Sequence, residues 1–250
     1  MKKRKSGILW ADIFLGIFIA ILAAGNLKKT YTHRASQYAI RHFTGYTSGN
    51  DVCQTAETGI QAVSQEKKQV AITFDDGPDP VYTPELLSGL KERNVKATFF
   101  LLGQQVEQYP EIVKQMYEDG HEIGCHSYQH VDFSKLSEQD ACEQIRKTCD
   151  LIYEITGERP SYVRPPYGAW LSCLDEDFCM IPVLWNVDPL DWATKDAALV
   201  SDRVLENTEE YDIILMHDAS QSSIQAALQV IDVMEADGYE FVTVEELLMP

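Results

Sequence analysis

A chain of 250 residues, 45% hydrophobic and 10% aromatic, can hold one sizeable folded domain with short accessory segments and is too apolar to be disordered throughout. Its formal net charge of −18 is unevenly placed: residues 1–41 carry eight Lys or Arg against one acid, and the remaining residues carry 13 basic and 38 acidic side chains. Because so acidic a body repels phosphate backbones, we expect no nucleic-acid partner.

The N-terminus combines a cationic tetrad with an apolar run. Residues 2–5 are Lys, Lys, Arg and Lys, and Ile8 to Gly25 is apolar apart from Asp12. This order is typical of an export signal, and 18 apolar residues are at the short end of what spans a bilayer as a helix. We therefore predict a signal-anchor over residues 1–25, a single-pass segment of the cell membrane with the body outside. Cleavage close to Gly25, which would give a secreted protein, is the alternative.

Residues 26–68 are polar and without periodicity, which indicates a stalk, and residues 69–250 read as the folded body. From Gln69 onward, short β-type runs alternate with helical runs, as in βα units around a parallel sheet. The predicted strands are Val70–Phe74, Thr98–Leu102, Glu122–Gly124, Tyr162–Val163, Ile181–Val187, Ile213–Met216 and Phe241–Val244. The predicted helices are Thr83–Arg93, Glu111–Asp119, Ser137–Thr156, Ala197–Asn207 and Ser223–Ala236. Seven strands favour an α/β fold of the distorted (β/α) barrel kind.

The six cysteines leave the disulfide pattern open. Export permits disulfides, but six cysteines allow fifteen pairings and the sequence does not choose among them. Cys142 and Cys149 lie seven residues apart on a predicted helix, a rise of about 10 Å that is too long for a bridge between them. Cys173 and Cys179 could pair more easily. Cys125 is predicted to pack inward as a small apolar side chain, because adjacent strand residues point to opposite faces.

Five polar motifs follow predicted strands. They are Thr73–Pro78 (TFDDGP), His126–His130 (HSYQH), Arg164–Gly168 (RPPYG), Asp188–Trp192 (DPLDW) and Leu215–Asp218 (LMHD). The carboxyl ends of parallel strands meet at one rim of an α/β barrel, where active sites assemble. We therefore expect the five motifs to form a single site.

The residue types at this rim indicate a metal centre. The adjacent carboxylates of Asp75 and Asp76 repel each other unless a cation or a proton lies between them. His126 and His130, four residues apart on a predicted helical turn, would point to the same side, and with one aspartate they make a three-ligand site with an open position. The prolines after Arg164 stiffen a loop that could aim a peptide N–H at a developing oxyanion.

Taken together, the motifs resemble those of the polysaccharide deacetylase family, the NodB-homology domain of carbohydrate esterase family 4, over about residues 69–250. The resemblance implies a distorted (β/α) barrel and one divalent metal ion, usually zinc, with cobalt, nickel or iron as other choices. The metal ligands that it implies are Asp76, His126 and His130.

The resemblance also implies roles for the other rim residues. Asp75 should be the general base that takes a proton from the attacking water, held ionised by Arg164. His217 should be the general acid that protonates the departing amine, with Asp188 tuning its charge. The Tyr167 backbone N–H should stabilise the oxyanion. The expected substrate-binding residues are Tyr167, Trp192, Leu215 and Pro166.

The resemblance predicts a hydrolase that removes N-acetyl groups from an extracellular amino-sugar polymer and releases acetate, with peptidoglycan N-acetylglucosamine as the favoured substrate. A chitin-oligomer deacetylase, a muramic-acid deacetylase or an O-acetyl-xylan esterase would use the same machinery. A catalytically silent glycan-binding module is the alternative from another class. We expect the protein to be monomeric.

Overall fold

The computed structural model describes residues 67–170 and 180–249. The predicted signal-anchor, nearly all of the predicted stalk, Cys53, Cys173 and Cys179 lie outside these residues. Among the described helices, none is both long enough and apolar enough to cross a membrane.

A curled parallel sheet forms the centre of the described part of the chain. Its strands run in the order β5-β4-β3-β2-β1-β6, and β7 pairs with the first residues of β1. The strands are β1 (Lys68–Asp75), β2 (Thr98–Leu101), β3 (Glu122–Cys125), β4 (Tyr162–Val163), β5 (Ile181–Pro182), β6 (Ile213–His217) and β7 (Tyr239–Phe241). The result is an α/β half-barrel with parallel strands, consistent with the (β/α) barrel expected from the sequence.

Helices connect the strands. They are α1 (Tyr82–Glu92), α2 (Gly103–Gln108), α3 (Pro110–Glu118), α4 (Glu138–Thr156), α5 (Ala197–Asn207), α6 (Gln221–Ala236) and α7 (Val244–Leu248). Five were predicted, whereas α2 and α7 were not, because six and five residues are too few to show a helical period. Ser137 caps α4 by accepting the Asp140 N–H, and Gly157 ends that helix at a φ of 79°.

Two predicted strands differ from the expectation. The run from Ile181 pairs with β4 only as far as Pro182, and Val187 then makes an isolated parallel bridge to Ile214 of β6. The last strand, predicted over Phe241–Val244, lies earlier in the chain and overlaps the prediction only at Phe241. It ends there because the chain turns into α7, whose first turn is closed by a capping box between Thr243 and Glu246.

The register of β1 decides which residues reach the site. Ile72 and Phe74 are buried in the main core, which is formed with helical side chains, whereas Thr73 and Asp75 point to the opposite face. On the neighbouring strand β6, Leu215 pairs with Thr73 and His217 pairs with Asp75. Two of the predicted chemical groups, one acidic and one basic, therefore leave the sheet side by side.

The described cysteines belong to the core. Cys125, Cys142 and Cys149 are all buried, and Cys149 is a free thiol, so Cys142 and Cys149 do not bridge each other. Cys125 packs in a cluster with Phe133 and Val163, which confirms that it points inward.

Candidate active site

A fully buried ion pair lies at the centre of the site. Arg164 is the first residue after β4. Its guanidinium donates from Nη1 to Asp75 Oδ1 at 2.8 Å and to Thr73 Oγ1 at 2.6 Å. Its other nitrogens face the carbonyl oxygens of Val183 and Leu184, both at 3.3 Å. One oxygen of the Asp75 carboxylate is thus held by a buried cation, and the pair satisfies two charges that are both removed from water.

The main chain of Arg164 orients the first histidine. His126 Nδ1 lies 2.6 Å from the Arg164 carbonyl oxygen, and only a protonated Nδ1 can donate to that acceptor. Burial lowers the pKa of His126 despite the charges of Asp75 and Asp76. The ring is therefore neutral, with the lone pair of Nε2 free to face the site.

The side chains of Asp76, His126 and His130 form a cluster whose ligand atoms all lie within 4.8 Å of one another. Asp76 Oδ1 is 3.5 Å from the Nε2 atom of each histidine, and it is buried without a hydrogen-bond partner. Ligand atoms around one tetrahedral zinc ion, with bonds of about 2.0–2.2 Å, lie roughly 3.3 Å apart. The donor types, the spacing and the unpartnered oxygen all fit a divalent cation.

The segment between the two histidines is not the helical turn expected from their spacing. Residues 126–130, the ligand loop hereafter, have no regular structure, and Ser127 (φ 75°) and His130 (φ 58°) are left-handed. His126 N donates to Leu101 O, and His130 N donates to Ser127 Oγ. The two side chains converge because of this irregular backbone.

The partner of His217 is Asp191, and the prediction of Asp188 was wrong. His217 Nδ1 is 2.8 Å from Asp191 Oδ1, and the His217 backbone N–H donates to Asp191 Oδ2 at 2.9 Å. Asp188 is exposed, and its Oδ1 accepts the Leu190 N–H instead. Leu190 is left-handed at a φ of 58°, and the turn that this creates brings Asp191 inward.

The negative charges around His217 raise its pKa. Burial alone would lower the pKa of His217, but the hydrogen bond to Asp191 and the charges of Asp191, Asp75 and Asp76 outweigh burial and raise the pKa to about 9. The imidazole is therefore protonated at neutral pH, as a general acid must be. Its Nε2 lies 3.9 Å from Asp76 Oδ2, so it faces the ligand cluster.

The remaining predicted residues differ in exposure. Tyr167 has a φ of 58°, is 69% exposed and stacks its ring edge-on against His130, with centroids 4.8 Å apart. Trp192 is 66% exposed in the turn that carries Asp191. Pro166 and Leu215 are buried, Leu215 on β6 two residues before His217.

A second buried carboxyl, which was not selected from the sequence, lies beneath the loop that carries Asp76. Asp218 is fully buried and accepts a hydrogen bond from Thr83 Oγ1. Thr83 Oγ1 in turn accepts the Asp79 N–H at 2.7 Å, which ties α1 to that loop. A Cβ on Gly77 would come within 2.4 Å of the Asp218 carboxylate, so a larger residue there would have to displace that carboxylate. Burial raises the pKa of Asp218 to about 7.

The chain resembles known enzymes in sequence and in structure. The family model for polysaccharide deacetylases matches residues 62–177. A peptidoglycan-N-acetylglucosamine deacetylase of Bacillus cereus is 38% identical over 190 residues, covering 72% of this chain and 68% of that protein. The enzyme PgdA of Listeria monocytogenes, a peptidoglycan-N-acetylglucosamine deacetylase, is 40% identical over 184 residues, 74% of this chain but only 40% of the Listeria protein.

The solved structure of the peptidoglycan deacetylase PdaC from Bacillus subtilis superimposes with a TM-score of 0.71 at 41% identity, covering 72% of this chain and 90% of that one. The fold and the rim residues match those of a polysaccharide deacetylase domain of the carbohydrate esterase family 4 type. The chain belongs to the polysaccharide deacetylase family, whose members are generally metal-dependent.

Replacing Asp191 tests whether its carboxylate is what raises the pKa of His217. In metal-free Asp191→Asn protein, loss of the partner charge should move the His217 pKa from about 9 down towards its usual value near 6.5. Because a raised folded-state pKa stabilises the protein below the unfolded value and that contribution disappears as the pH rises through 9, the variant should lose stability chiefly below pH 9. An NMR titration of the His217 ring measures the shift.

The matched control is Asp188→Asn, which should leave the His217 pKa unchanged. If Asp188→Asn shifted the titration and Asp191→Asn did not, the pairing described above would be wrong.

Proposed function

We propose that this protein is a metal-dependent deacetylase that hydrolyses N-acetyl groups of peptidoglycan, with N-acetylglucosamine as the substrate sugar and acetate as a product. One observation carries the proposal: a buried Arg164–Asp75 pair and a paired His217 flank the Asp76 cluster on one rim. Hydrolysis of an amide needs a base, a proton donor and a group that polarises the carbonyl. Asp75, His217 and the cluster around Asp76 would supply these three functions at one place.

Asp76, His126 and His130 would hold the cation, which we propose to be zinc. When bound, such an ion polarises the acetyl carbonyl and makes water more acidic. Asp75 has one oxygen fixed by Arg164, and its Oδ2 lies 3.7 Å from His126 Nε2, on the side of the cluster. That second oxygen is free to take the proton of the attacking water.

His217 delivers a proton to the departing nitrogen. It is protonated at neutral pH because Asp191 holds its Nδ1 proton, and the Nε2–H faces the cluster. Asp75 and His217 are register partners on adjacent strands, so base and acid stand on neighbouring strands beside the cluster. Opposite protonation states in neighbouring groups are the arrangement that acid–base catalysis at one pH requires.

The surroundings suit an acetylated sugar. The left-handed backbone at Tyr167 accompanies the sharp turn that carries the N–H proposed to bind the oxyanion, and the buried Pro166 before it makes that turn rigid. The exposed indole of Trp192 offers an apolar face of the kind that packs against sugar rings and methyl groups. We assign Leu215 to the wall around the acetyl methyl group.

The choice of peptidoglycan rests on the relatives, which are named as peptidoglycan deacetylases. The predicted signal-anchor agrees with that choice, since it would hold the domain outside the cell membrane beside the wall. We propose a monomer attached by this segment.

Metal removal tests the chemistry. Treatment with a chelator should abolish acetate release from peptidoglycan, and Zn²⁺ or Co²⁺ should restore it, because the cluster is the proposed cation site. Enzymatic assay of acetate measures the release, with chitin oligomers and acetylated xylan as comparison substrates. Acetate from xylan alone would support the esterase alternative. Glycan binding without acetate from any substrate would support the silent module.

Two substitutions test the roles of base and acid. Asp75→Asn and His217→Ala should each lower kcat for acetate release by roughly 10²–10⁴-fold, the usual contribution of a positioned acid or base. The pH–rate profile of the parent enzyme should be bell-shaped, and Asp75→Asn should remove its acidic limb while His217→Ala removes its alkaline limb. Near-normal rates with both limbs retained would contradict these assignments.

A further inference from the structure

The ligand loop, residues 126–130, holds its two metal-binding histidines without the support of a helix or a strand. Its Ser127 and His130 have left-handed backbones, which non-glycine residues adopt only where their surroundings impose it. The geometry of the cluster therefore depends on whatever fixes the three residues between the histidines.

On one side, the loop is held by α4. The side-chain oxygen of Gln144, Oε1, accepts the backbone N–H of Tyr128 at 3.2 Å and that of Gln129 at 2.9 Å. Both partners are donors, so the atom that faces them must be the amide oxygen and not the amide nitrogen. Gln144 is half-buried within a 19-residue helix, which holds the acceptor oxygen in position.

On the other side, the loop is held by the start of α2. The backbone N–H groups of Gly103 and Gln104 donate to the carbonyl oxygens of Ser127 and Tyr128 at 3.0 and 3.1 Å. The approach is close, because a Cβ on Gly103 would lie 2.4 Å from the Tyr128 ring. The carbonyls of Ser127 and Tyr128 thus point to α2, and the N–H groups of Tyr128 and Gln129 point to α4.

We propose that Gln144 is a positioning residue for the metal site: by accepting both loop N–H groups, it keeps His126 and His130 aimed at Asp76. This inference rests on the proposed function, since it takes the cluster to be a metal site. His126 is fixed independently through Arg164 and β3, whereas the backbone of His130 is held only within the loop and its ring has an edge-on contact with Tyr167. Loss of the acceptor should therefore affect His130 most.

The test measures metal affinity directly, without using catalysis. Zn²⁺ competition against a chromophoric chelator is carried out on the full chain with the parent sequence and with Gln144→Leu, Gln144→Ala and Gln144→Glu. Leu keeps the bulk of the side chain and removes the acceptor, and Glu keeps the acceptor. The matched control is Gln139→Ala, an exposed glutamine on the same helix.

We expect Gln144→Leu and Gln144→Ala to bind Zn²⁺ about 10–100-fold more weakly, the usual effect of losing a group that orients metal ligands. Gln144→Glu and Gln139→Ala should bind as tightly as the parent. Saturating Zn²⁺ should return most of the acetate release to Gln144→Leu, because the substitution weakens binding and leaves base and acid in place.

Parent-like affinity in both Gln144→Leu and Gln144→Ala would overturn the inference. An equal loss of Zn²⁺ affinity in Gln144→Glu would also overturn it. So would a loss of affinity that is fully accounted for by a lower melting temperature of the metal-free variants. Failure of the parent chain itself to bind Zn²⁺ would instead overturn the proposed function.

Discussion

The site depends on one buried charge that must be satisfied. The guanidinium of Arg164 is wholly removed from water. It donates hydrogen bonds to Asp75 and Thr73 and lies 4.1 Å from the centroid of the Phe100 ring. Removing one partner of such a pair costs about 3–5 kcal/mol, because an uncompensated charge stays buried. The same residue fixes the tautomer of His126 through its carbonyl, so one position directly after β4 holds both Asp75 and His126 in place.

The remaining groups are placed by the parallel sheet. Because β1 lies between β2 and β6, Asp75 has His217 as its register neighbour, and the chain then passes directly into Asp76. Proximity follows from the topology, while the charge around each group follows from local partners: Asp75 faces a cation and His217 faces an anion. Two groups with oppositely charged partners therefore lie side by side on neighbouring strands.

The sequence predicted the fold class and most of the rim, because strand ends in parallel sheets converge whatever lies between them. Loop conformation was not predictable in this way. Of the two acids in DPLDW, the choice of Asp191 over Asp188 depends on a left-handed Leu190, and β-type or helical periodicity carries no signal for such a turn. The contact from Gln144 to the ligand loop spans 15 or 16 residues and depends on how α4 packs, which a local pattern does not encode.

The proposed site holds one cation between one carboxylate and two imidazoles. X-ray absorption at the zinc edge of the zinc-loaded protein reports this ligand set. We predict one zinc per chain, with the multiple scattering of two imidazoles and nitrogen or oxygen neighbours at about 2.0–2.2 Å. A sulfur neighbour at about 2.3 Å, which would bring Cys125 or another thiol into the site, or a spectrum with fewer than two imidazoles, would contradict it.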